Sequence, residues 1–324
     1  MEDKIKQIVE REFNAKALNI KRINEGYSHF MYDVTLDKEP KEVIVRFSND
    51  IKESTSLAKE KYIMDTLAER NIPVPKIYAF DSSNELNKGG YMVMQKLPGK
   101  RIDEIWNSLT DKQKEKVTIK IGELLARIHE IKLPSFGQIQ EGGKIDTKPH
   151  FEFRKLGEKM KYSLFLRELF DDFFFDISGL LSHKYASPKF ISDFVFYILS
   201  NLDKIDFNGE PTLLHADYMP GHLFVEEKDG EYEITGLIDF EFALSYAPEY
   251  DFIKLHRNHF FDDEKLKRAL EKGYGRAINE EAVEIYRLMR DLQFASVILG
   301  SGDKETADKV LKDLEEKINK RLAN

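Results

Sequence analysis

There is no cysteine among these 324 residues. That excludes a disulfide framework, a thiolate nucleophile and a cysteine zinc site. Long apolar runs are lacking too. The most apolar stretches, such as Phe194 to Leu199, fall far short of the roughly 20 residues that cross a bilayer. The opening residues M-E-D-K-I-K-Q-I-V-E carry charge from the second position onward, unlike a secretory signal. Positive charge is in deficit: 50 Lys and Arg against 58 Asp and Glu leave a net charge of −8. This argues against a general nucleic-acid or acidic-membrane binder. No Walker A pattern exists, because Gly143-Lys144 lacks both the upstream glycine and the following Ser or Thr. Internal repeats and low-complexity segments are also missing. What is left is an ordinary soluble composition, 41% hydrophobic and 33% charged, long enough for two lobes with sizeable cores. The expectation is a cytoplasmic protein without nucleic-acid or membrane partners.

Along the chain, residues 4–12 have an amphipathic helical pattern. Three β-rich runs follow, Leu18–Ile23, Phe30–Leu36 and Val43–Phe47, with the turn N-E-G-Y-S-H between the first two. Residues 55–70 are predicted helical, with Leu57, Ile63, Met64 and Leu67 on one stripe. The run N-I-P-V-P ends that helix, since proline cannot continue it. Lys76–Phe80 and Tyr91–Lys96 are predicted strands, and Leu97-Pro98-Gly99 punctuates the chain. Helical periodicity dominates beyond that point, beginning with the stripe Val117, Ile121, Leu124, Leu125, Ile128 and Ile131. A small β-rich lobe over 1–97 and a larger helical lobe over 98–324, with an aromatic-rich helical insert near 151–206, are therefore expected.

The densest chemistry lies in L-L-H-A-D-Y-M-P-G-H-L-F-V, starting at Leu213, and I-T-G-L-I-D-F-E-F-A, starting at Ile234. These form one strand signal, the only strong one in the second half. Asp217 sits on a loop after an apolar run, where a carboxylate can orient a hydroxyl and accept its proton. A lone Asp there would more simply bond its own backbone. His222, five residues later, and Asp239, at the end of an apolar strand, change that balance. A carboxylate ending a buried strand is costly unless paired or bound to a cation. Phosphoryl transfer needs such a combination, an oriented hydroxyl beside a metal on the phosphates. A metal-dependent hydrolase using His215, Asp217, His222 and Asp239, or a non-catalytic nucleotide- or sugar-binding module, would also account for the cluster. His215 reads as a brace for the loop. His256 and His259 have a zinc-compatible spacing but no acidic or cysteine partners, and read as helix surface or core. The aromatics of Phe170–Asp176 read as core, with acids that could line a cleft.

In the small lobe, Gly26 allows close backbone approach and Ser28 could hold a phosphate, although a hairpin turn explains the same residues. In E-V-I-V-R-F, Val43, Val45 and Phe47 alternate with Ile44 and Arg46. Arg46 could clamp phosphates and pair with Glu60 on the next helix. A solvent-facing edge charge is the plainer alternative.

Taken together, these segments resemble the aminoglycoside phosphotransferase family of the protein-kinase-like fold, to which choline kinases and macrolide phosphotransferases are related. E-V-I-V-R-F resembles that family's third strand, A-K-E-K-Y-I-M-D-T-L its helix C, Y-M-V-M-Q-K-L-P-G its hinge and L-L-A-R-I-H-E-I a helix of its second lobe. H-A-D-Y-M-P-G-H and I-D-F-E-F-A resemble its catalytic loop and metal strand. The resemblance implies a two-lobed α+β fold. It implies Asp217 as the catalytic residue, His222 and Asp239 as Mg²⁺ ligands, and Arg46 with Glu60 as the phosphate clamp. Met94 would gate the base pocket, and the backbone of Gln95 and Leu97 would bond the purine. Asp251 resembles a structural acid of the large lobe. Most of the family has Asn where His222 stands, and the His form is similar to aminoglycoside 2''-phosphotransferases and macrolide phosphotransferases. Ala216 replaces the usual Gly or Asn. A conventional protein kinase is not expected: Asp239-Phe240-Glu241 replaces D-F-G, and Ala247-Pro248-Glu249 follows too closely to leave an activation segment.

The implied activity is transfer of the γ-phosphoryl of ATP or GTP to a hydroxyl of an aminoglycoside or related aminated or glycosylated compound. Choline, homoserine, thioribose sugars and macrolides are alternative acceptors. The acidic balance, with carboxylates in 151–206 and 261–263, suits a cationic acceptor. A monomer or homodimer is expected.

Overall fold

The computed structural model describes residues 1–23, 30–48, 51–83, 85–146, 177–182, 184–206 and 209–323, with the side chains of 51–56 outside that description. The expected turn with Ser28, and most of the helical insert including Phe170–Asp176, lie outside the described residues.

The first part of the chain builds a five-stranded antiparallel sheet. Its strands are β1 (Ala17–Ile23), β2 (Phe30–Leu36), β3 (Glu42–Phe47), β4 (Ile77–Asp81) and β5 (Tyr91–Gln95), in the order β1-β2-β3-β5-β4. Strand β3 is thus central. Its period of two sends Val43, Val45 and Phe47 into one apolar cluster with Ile5, Ile8 and Val9 of helix α1 (Glu2–Phe13). The opposite face, with Ile44, Met92 and Met94, packs against Leu57, Met64 and Leu67 of helix α2 (Ile51–Ala68). Helix α2 begins four residues earlier than its apolar stripe suggests and stops before Pro73, as expected.

After Leu97 the chain crosses to the second part. Gly99 takes φ +90°, and a Cβ there would lie 2.1 Å from the carbonyl oxygen of Val225. The connection is therefore pressed against the hairpin of β10 (Leu223–Lys228) and β11 (Glu231–Leu237). Strand β6 (Lys100–Arg101) pairs with β10, and Thr235 donates its hydroxyl to the Pro98 carbonyl at 2.8 Å.

Helices form most of the remainder: α3 (Ile102–Ile105), α4 (Asp111–His129), α5 (Pro188–Ser200), α6 (Phe252–Arg257), α7 (Glu264–Tyr274), α8 (Glu280–Ser301) and α9 (Lys304–Leu322). Thr110 and Gln113 close a capping box on α4. Its expected stripe is buried, and each such Ile or Leu contributes roughly 1.5–3 kcal/mol. Helices α4 and α7 touch backbone to backbone, since a Cβ on Gly273 would lie 1.9 Å from the Ile119 carbonyl oxygen. A second apolar cluster unites α5, α8 and α9.

The large lobe holds more strand than its periodicity suggests. A four-stranded sheet β8-β7-β12-β9 joins Ile145–Asp146, Gly137–Ile139, Leu244–Tyr246 and Thr212–Leu214. At two or three residues each, these strands are too short for alternation to register. No helix among the described residues is long and apolar enough to cross a membrane.

Candidate active site

Strand β9 leads into the loop carrying His215, Ala216 and Asp217. Two elements pin its backbone. The buried Asp251 carboxylate, just before α6, accepts the His215 N–H at 2.9 Å and the Ala216 N–H at 2.5 Å. His129 of α4 approaches the same carboxylate at 3.1 Å through Nε2 and meets the Tyr274 hydroxyl at 2.8 Å through Nδ1. Tyr218, fully buried, donates its hydroxyl to the Ile121 carbonyl at 2.9 Å. This clamping holds Ala216 at φ 62°, a left-handed conformation unfavourable for a residue with a Cβ.

His215 acts as a brace, as its sequence context suggests. Its Nδ1 accepts the Asp217 N–H at 3.2 Å and its Nε2 donates to the Ile238 carbonyl at 2.9 Å. These partners demand the neutral ring with the proton on Nε2. Burial first, and then nearby His222, holds its pKa below the ordinary histidine value. With both nitrogens engaged, His215 has no lone pair left for a metal.

His222 and Asp239 are brought together by register. Leu223 pairs with Leu237 at the base of the β10–β11 hairpin, and the Ile238 N–H reaches the His222 carbonyl at 3.0 Å. His222 donates its Nδ1–H to the Asp217 carbonyl at 2.9 Å. In the neutral ring Nε2 is then an acceptor, and it faces Asp239 Oδ2 at 3.5 Å. Two acceptor atoms so placed favour a shared cation. One imidazole nitrogen and one carboxylate oxygen are a possible donor pair for a divalent cation, while the described residues hold no group of three or more His, Asp or Glu placed for a metal. Asp239 itself stands at φ 71°, a turn that Asp tolerates better than most residues.

The Asp217 carboxylate lies between a lysine and a histidine. Oδ1 is 2.6 Å from Lys254 Nζ of α6, and Oδ2 is 3.6 Å from His222 Nδ1. Asp217 is 13% exposed and Lys254 31%.

From the small lobe, Arg46 reaches in. It is no edge charge but is buried on the central strand, 2.6 Å from Glu60 of α2 and 3.7 Å from Glu241. Lys59, beside Glu60, donates to the carbonyls of Glu241 and, at 3.3 Å, Ala243. Burial pulls its pKa below the ordinary lysine value. Strand β3 and helix α2 thus both grip the loop that follows Asp239.

At the hinge, Met94 is buried on β5. Gln95 gives its backbone N–H to the Lys76 carbonyl at 2.8 Å. The Leu97 side chain occupies the space above Gly236, where an added Cβ would approach it to 2.3 Å.

His256 and His259 do not form a pair. His256 stacks on Phe261, whereas His259 lies past the end of α6, mostly exposed, and meets Asp262 at 2.6 Å. Asp263 caps α7 through the Lys265 N–H. The carboxylates of 261–263 are therefore engaged locally. Sequence reasoning missed Lys254, Glu241 and Lys59. Lys254 left a signal, lying three residues after Asp251 and hence on the same helix face, and Glu241 lay within the Asp239 motif without a role being given to it.

A sheet lobe whose central cation is tied to a helix, closing on a catalytic-type loop and hairpin, is the architecture of the kinase-like folds, in the form seen in aminoglycoside phosphotransferases. The chain belongs to the phosphotransferase enzyme family, whose model matches residues 19–286. Among solved structures, the GDP and kanamycin complex of APH(2'')-IIIa superposes with a TM-score of 0.67 at 14% identity, covering 96% of each chain. The ADP-bound APH(2'')-Ib gives 0.66 at 17% identity and 97% of each chain. The streptomycin–ATP complex of APH(2'')-IIa gives 0.65 at 17% identity, with 98% of this chain and 96% of that one covered. A subtelomeric hrmA-associated cluster protein of Aspergillus fumigatus is 29% identical over 115 residues, 34% of this chain. The chain spans about a quarter, 23%, of the length of that curated relative.

Proposed function

We propose that the protein is a small-molecule kinase, moving the γ-phosphoryl of ATP or GTP to a hydroxyl of an aminoglycoside or a related aminated or glycosylated compound. The observation that carries this reading is the link between the two halves of the site. Arg46, tied to Glu60 at 2.6 Å, reaches Glu241 at 3.7 Å, two residues beyond Asp239. This contact ties the strand of Arg46 to the segment that follows Asp239, which supports reading Arg46 as a phosphate clamp acting with His222, Asp239 and Asp217.

On this reading residues 1–97 hold the nucleotide. Met94 bounds the base pocket, and the Gln95 carbonyl and the Leu97 backbone bond the purine. Arg46 and, in the first turn, Ser28 hold phosphates. Residues 98–324 carry the chemistry and the acceptor. Mg²⁺ bound by His222 Nε2 and Asp239 would supply positive charge to the β- and γ-phosphate oxygens. Asp217 orients the acceptor hydroxyl and takes its proton as the new O–P bond forms, late in a loose transition state.

Related structures with kanamycin and streptomycin support an aminoglycoside-type acceptor. The net charge of −8 agrees with a cationic one, although Asp262 and Asp263 lend it no help. The metal-dependent hydrolase reading loses ground because both nitrogens of His215 are committed.

The test is nucleotide consumption with Mg²⁺. ATP and GTP are each offered with aminoglycosides, macrolides, choline, homoserine and thioribose sugars, and Asp217→Ala serves as control. Acceptor-dependent turnover that the control loses is the expected outcome. Equal turnover in Asp217→Ala would sink the assignment.

A further inference from the structure

We propose that Lys254 is a positioning residue for the transfer, holding the Asp217 carboxylate with one oxygen turned to the acceptor hydroxyl. The inference rests on the kinase reading above and adds to it a residue from outside the loop and hairpin.

The carboxylate of an Asp turns about a broad, weakly restrained terminal torsion, so its plane is set by partners more than by rotamer preference. The clamps on this loop all act on its backbone: Asp251 on the N–H groups of His215 and Ala216, His215 on the N–H of Asp217, His222 on the carbonyl of Asp217. None of these orients the Asp217 side chain. His222 stands 3.6 Å from Oδ2, beyond hydrogen-bond reach, and its Nδ1 proton is already given to the carbonyl. Among the described residues, the contact that fixes the carboxylate plane is Lys254 Nζ, 2.6 Å from Oδ1.

The origin of Lys254 strengthens the case. Asp251 and Lys254 are three residues apart at the start of α6, so one helical turn presents both to the same loop. Asp251 seizes the backbone and Lys254 the reacting carboxylate. Loop and carboxylate are thus referenced to a single element, which is how a site is held within fractions of an ångström. At 31% exposure Lys254 is open enough for an acceptor to arrive beside it.

In the transfer, the acceptor oxygen bonds the γ-phosphorus while the bond from that phosphorus to the β–γ bridging oxygen breaks. The nucleoside diphosphate leaves with the electron pair, and the hydroxyl proton passes to Oδ2 of Asp217. Lys254 keeps its protons throughout and stays on Oδ1.

Two measurements test this. The first compares Lys254→Met and Lys254→Arg with wild type in transfer to whichever acceptor of the panel is turned over and in hydrolysis of MgATP by water. Lys254→Met should lower kcat for transfer about 10- to 100-fold, as small misplacements of a catalytic group do, with the nucleotide KM within about twofold. Lys254→Arg should recover most of the loss. An unchanged nucleotide KM also shows that the variant is folded. The second is the rate at which an acylating reagent labels Lys254, read by mass spectrometry. Lys254 should be protected in wild type and labelled several-fold faster in Asp217→Ala. Equal labelling in the two proteins, or an undiminished kcat in Lys254→Met, overturns the proposal while leaving the kinase reading intact. A wild type that neither transfers nor hydrolyses fails the kinase reading itself, and the role of Lys254 in transfer falls with it.

Discussion

Two ion pairs of the candidate site have the same separation, 2.6 Å, and they are not equivalent. Arg46 and Glu60 are 8% and 2% exposed, whereas Lys254 and Asp217 are 31% and 13% exposed. A buried pair cannot lose one partner without stranding the other charge in a poorly solvated place. A part-exposed pair is screened by water and contributes little to stability. Equal distance therefore conceals opposite roles. The small-lobe pair is a fixed strut between β3 and α2, and the large-lobe pair is a contact open to solvent.

The comparison breaks most sharply at Asp217. Asp217→Ala should reduce transfer by about 10²–10⁴-fold while nucleotide affinity, measured by calorimetry, barely moves. For the small-lobe pair the loss should appear in stability. Arg46→Met removes the buried guanidinium that Glu60 and Glu241 both face and should cost about 3–5 kcal/mol in denaturant unfolding. Replacing both partners, as Arg46→Met with Glu60→Leu, should recover part of it, because the Glu60 charge is removed together with its main partner, although Lys59 and Glu241 remain. Lys254→Met should change the unfolding free energy by less than about 1 kcal/mol, so a loss near that of Arg46→Met would erase the distinction between the pairs. Smaller still is Ala216→Gly. It relieves a left-handed Cβ clash of about 1–2 kcal/mol and gives back roughly 0.5–1 kcal/mol in chain entropy. A net gain of about 0.5 kcal/mol, seen as a modest rise in Tm, is expected.

The smallest effect concerns pH. Half-buried His256 is held below its ordinary value, by burial first and then by Arg287. Its folded pKa is depressed, so the unfolded chain takes up the proton first as pH falls. The stability it contributes is present above about pH 6.5 and is lost as pH drops through that value toward the folded pKa. Buried His215 acts with the same sign. Unfolding free energy should therefore fall as pH is lowered, and His256→Asn should flatten part of that slope.

Much of the fold was readable because long elements carry long periodicities. The stripes of α2 and α4 and the alternation of β3 each repeat often enough to stand out. Strands β7, β9 and β12, at three residues apiece, do not, and their existence rests on partners far along the chain. Within the site, Asp217, His222 and Asp239 were visible because one hairpin holds them close in sequence. Glu241 lay in the same motif and went unnoticed, since its approach to Arg46 spans 195 residues of chain, from 46 to 241. The local partners of the acids in 261–263 were not visible in composition, which does not show that Asp262 meets His259 and Asp263 caps a helix.

The amino-acid sequence by itself determined the longer elements, the β-rich first part and helical second part, and the loop and hairpin that carry Asp217, His222 and Asp239. These follow from local periodicity, from proline and glycine stops and from close spacing, all of which act over short stretches of chain. Tertiary structure alone decided that Arg46 lies on a central strand rather than an edge. It also decided which tautomer His215 adopts, that Gln95 spends its N–H on Lys76, and that Lys254 reaches Asp217. Each of these depends on which distant backbone or side chain arrives within about 3 Å to form a hydrogen bond, and only the packed chain settles that.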